Sequence, residues 1–154
     1  MKKKLTDSET RAWVGFVKAQ QTVLEKLDDD LKKHGYPPMS WYDVLLELEK
    51  TREGRIRQNE LGQLILLSKY NVSRLLDRLE KEGLIKREPC KEDTRGVFAV
   101  ITAKGKKLRN RMWPVYYESI KEHFLSRFSE KELGQMIKFN DKIVKFAITR
   151  FDNR

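Results

Sequence analysis

Cysteine is almost absent from this 154-residue sequence, which contains Cys90 alone. A single cysteine cannot form a disulfide within the chain, so a disulfide-stapled fold is excluded and a reducing cytoplasm is expected. Long apolar runs are missing too: no stretch approaches the roughly 20 residues of a membrane-spanning helix, and no signal core follows the basic start. The four prolines and eight glycines stand in short breaks, so we expect a compact chain without a flexible linker.

Groups that could perform catalysis or bind a metal are also scarce. The two histidines, His34 and His123, are far apart and neither lies in a ligand-like cluster, so we expect surface or helix-end histidines and no metal. The acidic run Asp28-Asp29-Asp30 lies on a predicted helix, where consecutive side chains diverge and cannot converge on one cation. No nucleophile stands beside a base. The sequence therefore disfavours an enzyme, and no cofactor is expected.

Positive charge is what the sequence has in excess. Lys and Arg number 33 against 23 Asp and Glu, which gives a formal net charge of +10. Such an excess favours a polyanionic partner, either nucleic acid or an anionic membrane surface, although part of it can serve solubility alone. Apolar residues make up only 39% of the chain, so its interior is modest or is shared with a partner.

Helical patterns occupy both ends of the chain. Thr6 to Glu9 has the spacing of a capping box, and an apolar stripe runs from Trp13 to Leu31, interrupted by Gln20. This helix should end at Gly35, before two prolines. A second helical segment begins at Ala103.

The helix from Ala103 should continue to about Arg127, with a kink at Pro114. Ser129 to Glu132 is another capping box, and the helix behind it is apolar over more than one face. A second subunit is the expected cover for that surface. The alternative is that the terminal helices pack on each other within one subunit.

The segment from Ser40 to Thr102 has the order of a winged helix-turn-helix. A second capping box opens its first helix, a very short strand and a short helix follow, and a longer helix leads into two strands around a polar loop. The expected boundaries, in chain order, are Ser40-Trp41-Tyr42-Asp43 for the capping box, Gly54 for the end of that helix, Ile56 for the short strand, Gln58 to Leu64 for the short helix, Leu66-Leu67 for the turn, Ser68 to Glu82 for the longer helix, and Leu84 to Glu88 and Val97 to Ile101 for the strands.

The helix from Ser68 to Glu82 is the expected reader of nucleic acid. Apolar residues at positions 72, 75, 76 and 79 define its buried face. The rest of the helix offers hydroxyl, amide and guanidinium groups, which can bond base edges, and its free amides suit a phosphate. The same pattern also occurs on solvated helices of unrelated proteins. The candidate contacts are Ser68, Lys69, Tyr70, Asn71, Ser73, Arg74 and Arg78.

The polar loop between the two strands supplies a second candidate contact. Arg95 in this loop can enter an adjacent minor groove, where the negative potential of narrow DNA is concentrated. Asp93 is poorly suited to a phosphate, and we expect it to orient Arg95 through a charge-assisted bond. Cys90, at the base of the loop beside Lys91, is interpreted as an inert thiol rather than a redox sensor.

Three pieces of sequence carry a resemblance to the MarR family of bacterial regulators: Leu67-Ser68-Lys69 with Val72 to Glu80, then Gly83 to Arg87, then Asp93 to Gly96 before Ile101 to Gly105. The resemblance covers nearly the whole chain. It implies a homodimer on a pseudopalindromic operator in double-stranded DNA, with helices from both termini interlocked. It also implies DNA contacts from the candidate residues of the helix and from Arg95, whereas Tyr70 fills a position that varies in the family.

The resemblance further implies a small aromatic or anionic effector, bound between the dimer helices and the DNA-binding lobe. The candidate lining is aromatic and methionine-rich, although such residues are more often core: Trp13, Phe16, Trp41, Tyr42, Met112 and Tyr116. A thiol sensor is not supported, because no cysteine lies near the start of the first helix.

The sequence thus predicts a mainly α fold with a small β-hairpin wing (α+β), in three parts: a dimerisation helix at 1–39, a winged helix-turn-helix at 40–102 and dimerisation helices at 103–154. The expected function is a cytoplasmic, operator-binding transcriptional regulator, with repression as the favoured direction. The alternative is a winged module for protein or RNA contact without operator specificity.

Overall fold

In a computed structural model of the chain, which describes residues 3–66, 71–93 and 95–151, the protein is mainly helical with one small sheet. The helices are α1 (Asp7–Lys33), α2 (Met39–Lys50), α3 (Gln58–Leu64), α4 (Val72–Lys81), α5 (Ala103–His123) and α6 (Glu130–Phe151), and the strands are β1 (Arg55–Arg57), β2 (Ile85–Pro89) and β3 (Val97–Ile101). The predicted mainly α fold with a hairpin wing is confirmed.

The sheet consists of the predicted hairpin and the very short strand. Strand β3 lies in the middle and pairs antiparallel with both neighbours, in the order β1-β3-β2. In the hairpin, Ile85 lies opposite Ile101. On the other edge, Ile56 lies opposite Ala99, and both side chains are buried. This pairing attaches β1, and with it the start of α3, to the base of the wing.

Two groups of buried side chains form the interior. The first lies under α2, α3, α4 and the sheet, and consists of Val44, Leu45, Leu48, Ile56, Leu61, Leu76, Leu79, Leu84, Ile85, Ala99 and Ile101. The second lies between α1, the start of α2 and α5, and consists of Leu27, Leu31, Met39, Tyr42, Met112 and Tyr116. Helix α2 contributes to both groups, so it connects the winged part to the long helices α1 and α5.

Two of the three predicted capping boxes are confirmed. At the start of α1, the Thr6 backbone N–H donates to the Glu9 carboxylate (2.7 Å) and the Glu9 N–H donates to the Thr6 hydroxyl (3.2 Å). At the start of α6, the corresponding bonds join Ser129 and Glu132 at 2.8 and 3.3 Å. Each pair satisfies amides that the first helical turn leaves without partners.

The predicted capping box at Ser40 is wrong. Helix α2 begins at Met39 with Pro38 at its N-cap, and no side chain of the cap residue bonds the helix. The Met39 N–H instead donates to the Asp28 carboxylate of α1 at 2.8 Å. Asp43 is buried and accepts a short hydrogen bond from the Leu66 N–H. A partner distant in the sequence has therefore replaced the local one.

Several helix ends differ from the prediction. Helix α1 ends at Lys33, before Gly35 (φ +74°), and α2 ends at Lys50 rather than at Gly54. Helix α5 contains Pro114 and ends at His123, and a separate 3-10 turn covers Leu125–Arg127. Helix α4 begins at Val72, with Asn71 at its N-cap. The predicted turn at Leu67 and the predicted cap at Ser68 lie outside the described residues.

The outer ends of α1 and α6 leave large apolar side chains in solvent. Trp13 is 62% exposed and Phe16 is 48% exposed, whereas Leu27 and Leu31 near the other end of α1 are buried against α5. None of the side chains of α6 at positions 130–145 is buried. Within the described ranges, no helix is both long and apolar enough to cross a membrane.

Candidate nucleic-acid interface

The exposed face of α4 carries the predicted contacts that the structure describes. Leu76 and Leu79 are fully buried on the inner face of this helix. Asn71, Ser73, Arg74 and Arg78 are all exposed. The inner leucines therefore fix the orientation of α4, and a surface with amide, hydroxyl and guanidinium groups faces solvent. Ser68, Lys69 and Tyr70 lie outside the described residues.

Asp77 and Arg87 connect α4 to the wing. The Arg87 Nη2 atom lies 2.5 Å from the Asp77 Oδ1 atom and 3.4 Å from the backbone oxygen of Ser73. The Arg87 side chain is 24% exposed, and its Nε is buried without a partner among the described residues. Arg87 thus holds α4 against β2. Sequence analysis missed this pair, because the two residues lie ten positions apart on different elements.

The wing loop is shaped by backbone hydrogen bonds. The Cys90 N–H donates to the Gly96 oxygen and the Gly96 N–H donates to the Asp93 oxygen, both at 2.9 Å. The Asp93 carboxylate accepts from the backbone N–H of Arg95 at 3.0 Å. The expected bond to the Arg95 side chain is therefore replaced by one to its amide. Asp93 shapes the turn, and the exposed Arg95 side chain projects from it.

A groove of about 630 Å³ lies between α3 and the wing, next to the start of α4. Arg57, Gln58 and Asn59 line it from the side of β1 and α3, and Arg95 lines it from the wing. These side chains offer cationic and amide donors to a phosphate chain. Sequence analysis missed the three residues of β1 and α3, since only the strand pairing of β1 with β3 brings them beside the wing loop.

Arg57 also contacts Cys90. Its Nη2 atom donates to the Cys90 Sγ at 3.5 Å, and the thiol side chain is only 6% exposed. The guanidinium groups of Arg55 and Arg57 lie 4.6 and 5.7 Å from the centre of the Phe98 ring. The buried position of Cys90 at the base of the wing is consistent with its interpretation as an inert thiol.

The six predicted effector residues do not come together in the single chain. Tyr42, Met112 and Tyr116 pack in one core and are at most 8% exposed. Trp41 packs at the edge of the other core, while Trp13 and Phe16 lie on the exposed part of α1. Trp13 and Phe16 are therefore separated from the buried three within the single chain.

An aromatic group that sequence analysis did not single out lies beside this core. Trp113 is 43% exposed and stacks on Tyr42, with 6.0 Å between the ring centroids. Arg109 bridges to Glu49 and lies over the same Tyr42 ring, 5.9 Å from its centroid. Burial, together with the nearby Asp43, raises the pKa of Tyr116 to about 12, so its hydroxyl is neutral in the physiological range. The group combines an exposed aromatic face with a nearby cation.

One expectation about histidine is wrong. His123 is the last residue of α5, as a helix-end histidine should be, but it lies in a cluster with Asp30 and Glu122. Asp28 and Asp30 bond to different partners, Met39 and Ser119 respectively, which confirms that the acidic run does not converge. The cluster instead forms between α1 and α5, which the sequence could not show.

Comparison with known proteins identifies the family. A family model described as MarR family matches residues 34–96, which include α2, α3, α4 and most of the wing. The uncharacterized HTH-type transcriptional regulator YkoM of Bacillus subtilis (strain 168) is 34% identical over 122 residues, 79% of this chain and 77% of that protein. This chain belongs to the MarR family.

Solved MarR structures share the whole fold. AbsC of Streptomyces coelicolor is 27% identical and superposes with a TM-score of 0.83, covering 99% of this chain and 100% of its own. Sco3205 of the same organism, solved in complex with DNA, has a TM-score of 0.85 at 24% identity and covers 94% of this chain and 91% of its own. The long outer helices therefore belong to the MarR fold as much as the winged part does.

Proposed function

We propose that this MarR-family regulator binds an operator in double-stranded DNA by inserting α4 into the major groove and Arg95 of the wing into the adjacent minor groove. The observation that carries the proposal is that α4 has one buried apolar face and one exposed polar face. Leu76 and Leu79 are fully buried on its inner face, whereas Asn71, Ser73 and Arg74 are exposed together. These three side chains can pair with base edges, and the excess of positive charge favours the approach to DNA.

The contacts divide into two kinds. Arg74 and Asn71 read base edges, because a guanidinium and an amide can each form two hydrogen bonds to one base. Arg57, Gln58 and Asn59 in the groove beside the wing hold the phosphate chain and fix the position of α4 on the duplex. Asp77 reads no base, since its carboxylate already binds Arg87.

A homodimer follows from the exposed apolar surface. Ile137, Phe139, Ile143 and Val144 of α6 are each more than half exposed in the single chain, as is Trp13 of α1. The alternative, that α1 and α6 cover each other within one subunit, leaves these side chains in water. A second copy buries them and places two α4 helices on the two halves of a pseudopalindromic operator. In this proposal residues 1–39 and 103–154 hold the dimer, and residues 40–102 bind DNA.

A dimer on such an operator excludes RNA polymerase where the operator overlaps a promoter, so repression is the proposed direction. The protein is proposed to act in the cytoplasm, as a regulator and not as an enzyme. A small aromatic or anionic effector is proposed to bind where Trp13 and Phe16 of one subunit meet the partner, near Trp41 and the core of Tyr42, Met112 and Tyr116. Binding there changes the spacing of the two lobes, and with it the affinity for the operator.

Selection of bound duplexes from a random pool tests this function. We expect enrichment of an inverted repeat whose half-sites lie about 10 base pairs apart, one helical turn of DNA. A parallel selection with single-stranded RNA of the same length is the control. Enrichment of RNA alone, or of duplexes with no common sequence, would favour the module for RNA or protein contact and contradict the proposal.

A further inference from the structure

Metal-ligating side chains meet where the last turn of α1 packs against the end of α5. Asp30 comes from α1, and Glu122 and His123 come from α5. The His123 Nε2 atom lies 2.8 Å from the Asp30 Oδ2 atom. One ligand atom from each of the three residues can be chosen so that all lie within 4.8 Å of one another.

The distances suit a small divalent cation. Two ligands that bind one Zn²⁺ at about 2.0–2.1 Å, in tetrahedral or octahedral arrangement, are themselves about 3 Å apart. The Asp30 and His123 atoms are already close to this separation. Glu122 is exposed at the rim, and a flexible glutamate can rotate its carboxylate towards the other two. An imidazole among the ligands favours Zn²⁺ and its transition-metal neighbours over Mg²⁺ or Ca²⁺.

The surroundings of Asp30 also fit a ligand. Ser119, which is only 3% exposed, donates its hydroxyl to the Asp30 carboxylate at 2.7 Å and so fixes the orientation of that group. Carboxylates that bind metals are commonly held by such a second hydrogen bond. Lys33 lies 3.6 Å from the other oxygen of Asp30, but its side chain is 73% exposed and can move into solvent. The Asp30 and His123 side chains are 22% and 18% exposed, so water can complete the coordination.

We propose that Asp30, Glu122 and His123 form a binding site for a divalent transition-metal ion such as Zn²⁺. The ion replaces the proton between Asp30 and His123, and two carboxylates balance its charge. Because the ligands come from two helices, the bound ion joins the end of α1 to the end of α5. Binding to the folded state alone then raises its stability. The site is independent of the DNA-reading face, so its failure leaves the proposed operator binding untouched.

Titration of the full chain with zinc chloride, in a buffer that does not chelate metals, tests the site by calorimetry. We expect one Zn²⁺ per chain, with at least ~10-fold weaker binding in His123→Gln and in Glu122→Gln. Controls are His34→Gln, which removes the other histidine, and Cys90→Ser, which removes the thiol. The absorption of bound Co²⁺ should likewise be weakened in His123→Gln and Glu122→Gln and kept in the two controls. Zn²⁺ should raise the Tm of the wild type but not that of His123→Gln.

Glu122→Gln lies on the surface and should fold normally, so the test does not depend on the more buried His123. If no saturable binding were detected at Zn²⁺ concentrations up to about 100 μM, the proposal would be overturned. The free energy of binding would then be weaker than about 5.5 kcal/mol. Equal binding by the wild type, His123→Gln and Glu122→Gln would overturn it as well. Loss of binding in His34→Gln or Cys90→Ser, but not in the cluster variants, would place the metal elsewhere and contradict it.

Discussion

The Nη2 atom of Arg87 lies 2.5 Å from the Oδ1 atom of Asp77, so β2, which leads into the wing, is bound to α4, the helix proposed to face DNA. The same guanidinium reaches the backbone oxygen of Ser73. Helix α4 is thus held on its inner face by leucines and at its side by an ion pair. A side chain that fixes the angle of α4 affects DNA binding without touching a base.

The Asp77–Arg87 pair should therefore matter for both stability and binding. Asp77 is 60% exposed, so its interaction with Arg87 is expected to contribute only about 0.2–1 kcal/mol to the free energy of unfolding. A double-mutant cycle with Asp77→Ala and Arg87→Ala measures this coupling by urea denaturation. Both single variants should also weaken operator binding. Glu80→Ala, which removes another exposed acid of α4, is the matched control, and equal weakening by it would argue against a positioning role.

Arg74 and Arg95 should differ in how they affect binding. Arg74→Ala is expected to change the preference among base pairs at one position of each half-site, by about 1–3 kcal/mol per lost contact. Arg95→Ala should weaken binding to most sequences and reduce the salt dependence of the affinity. Fluorescence anisotropy on operator and on scrambled duplex measures both effects. If both variants lost the same affinity on both duplexes, this division would be wrong.

The dimer depends on the apolar surface of α6. Ile137 is 62% exposed in the single chain. Ile137→Glu should therefore shift the protein from dimer to monomer in sedimentation at micromolar concentration, because it places a charge in an apolar interface. Lys138→Glu changes the charge at the neighbouring exposed position and should remain dimeric. A wild-type protein that sediments as a stable, folded monomer would refute the dimer itself.

Stability should depend on pH through Asp30. The Ser119 hydroxyl, with help from His123, holds the pKa of Asp30 below its ordinary value of 3.8. A carboxyl group with a lowered folded pKa stabilises the protein above the unfolded pKa, and this contribution is lost as the pH falls through the folded value. Ser119→Ala should thus lower the free energy of unfolding by about 1 kcal/mol at pH 7 in a metal chelator.

The deficit of Ser119→Ala should shrink as the pH falls below about 3.8, and it should vanish below the lowered folded pKa, where the carboxyl is protonated in both states. Urea denaturation at several pH values measures it. Ser126→Ala is the control, because that hydroxyl donates to the Glu122 backbone oxygen and to no ionisable group. A deficit that stayed constant down to pH 3 would mean that Ser119 stabilises the fold by packing alone.

Local patterns predicted the elements whose partners are local. The bounds of β3 and α3 are as predicted, and the capping boxes at Thr6 and Ser129 form within four residues of sequence. Alternating or periodic apolar residues are enough for such elements, because each buries one face against a common core. The order of helix, turn, helix and hairpin then followed, and with it the winged fold.

Contacts between segments that lie far apart in the chain could not be predicted from the sequence. The Ser40 pattern has the right spacing for a cap, but the helix begins one residue earlier, and Asp28 of α1 accepts from the Met39 N–H. His123 lies 93 positions from Asp30 in the sequence, yet its ring meets that carboxylate in space. The groove beside the wing depends in the same way on the pairing of β1 with β3. Each of these depends on packing between helices or strands, which periodicity does not encode.

The most direct test of the central claim compares the affinity of the dimer for its selected operator with that for a scrambled duplex of equal length, at several salt concentrations. The account predicts at least ~1000-fold tighter binding to the operator at physiological salt, with two chains per duplex. It also predicts that Arg74→Ala greatly reduces the ratio of operator affinity to scrambled-duplex affinity. The salt dependence of the affinity for the scrambled duplex should stay as in the wild type. Equal affinity of the wild type for both duplexes would contradict a sequence-specific regulator.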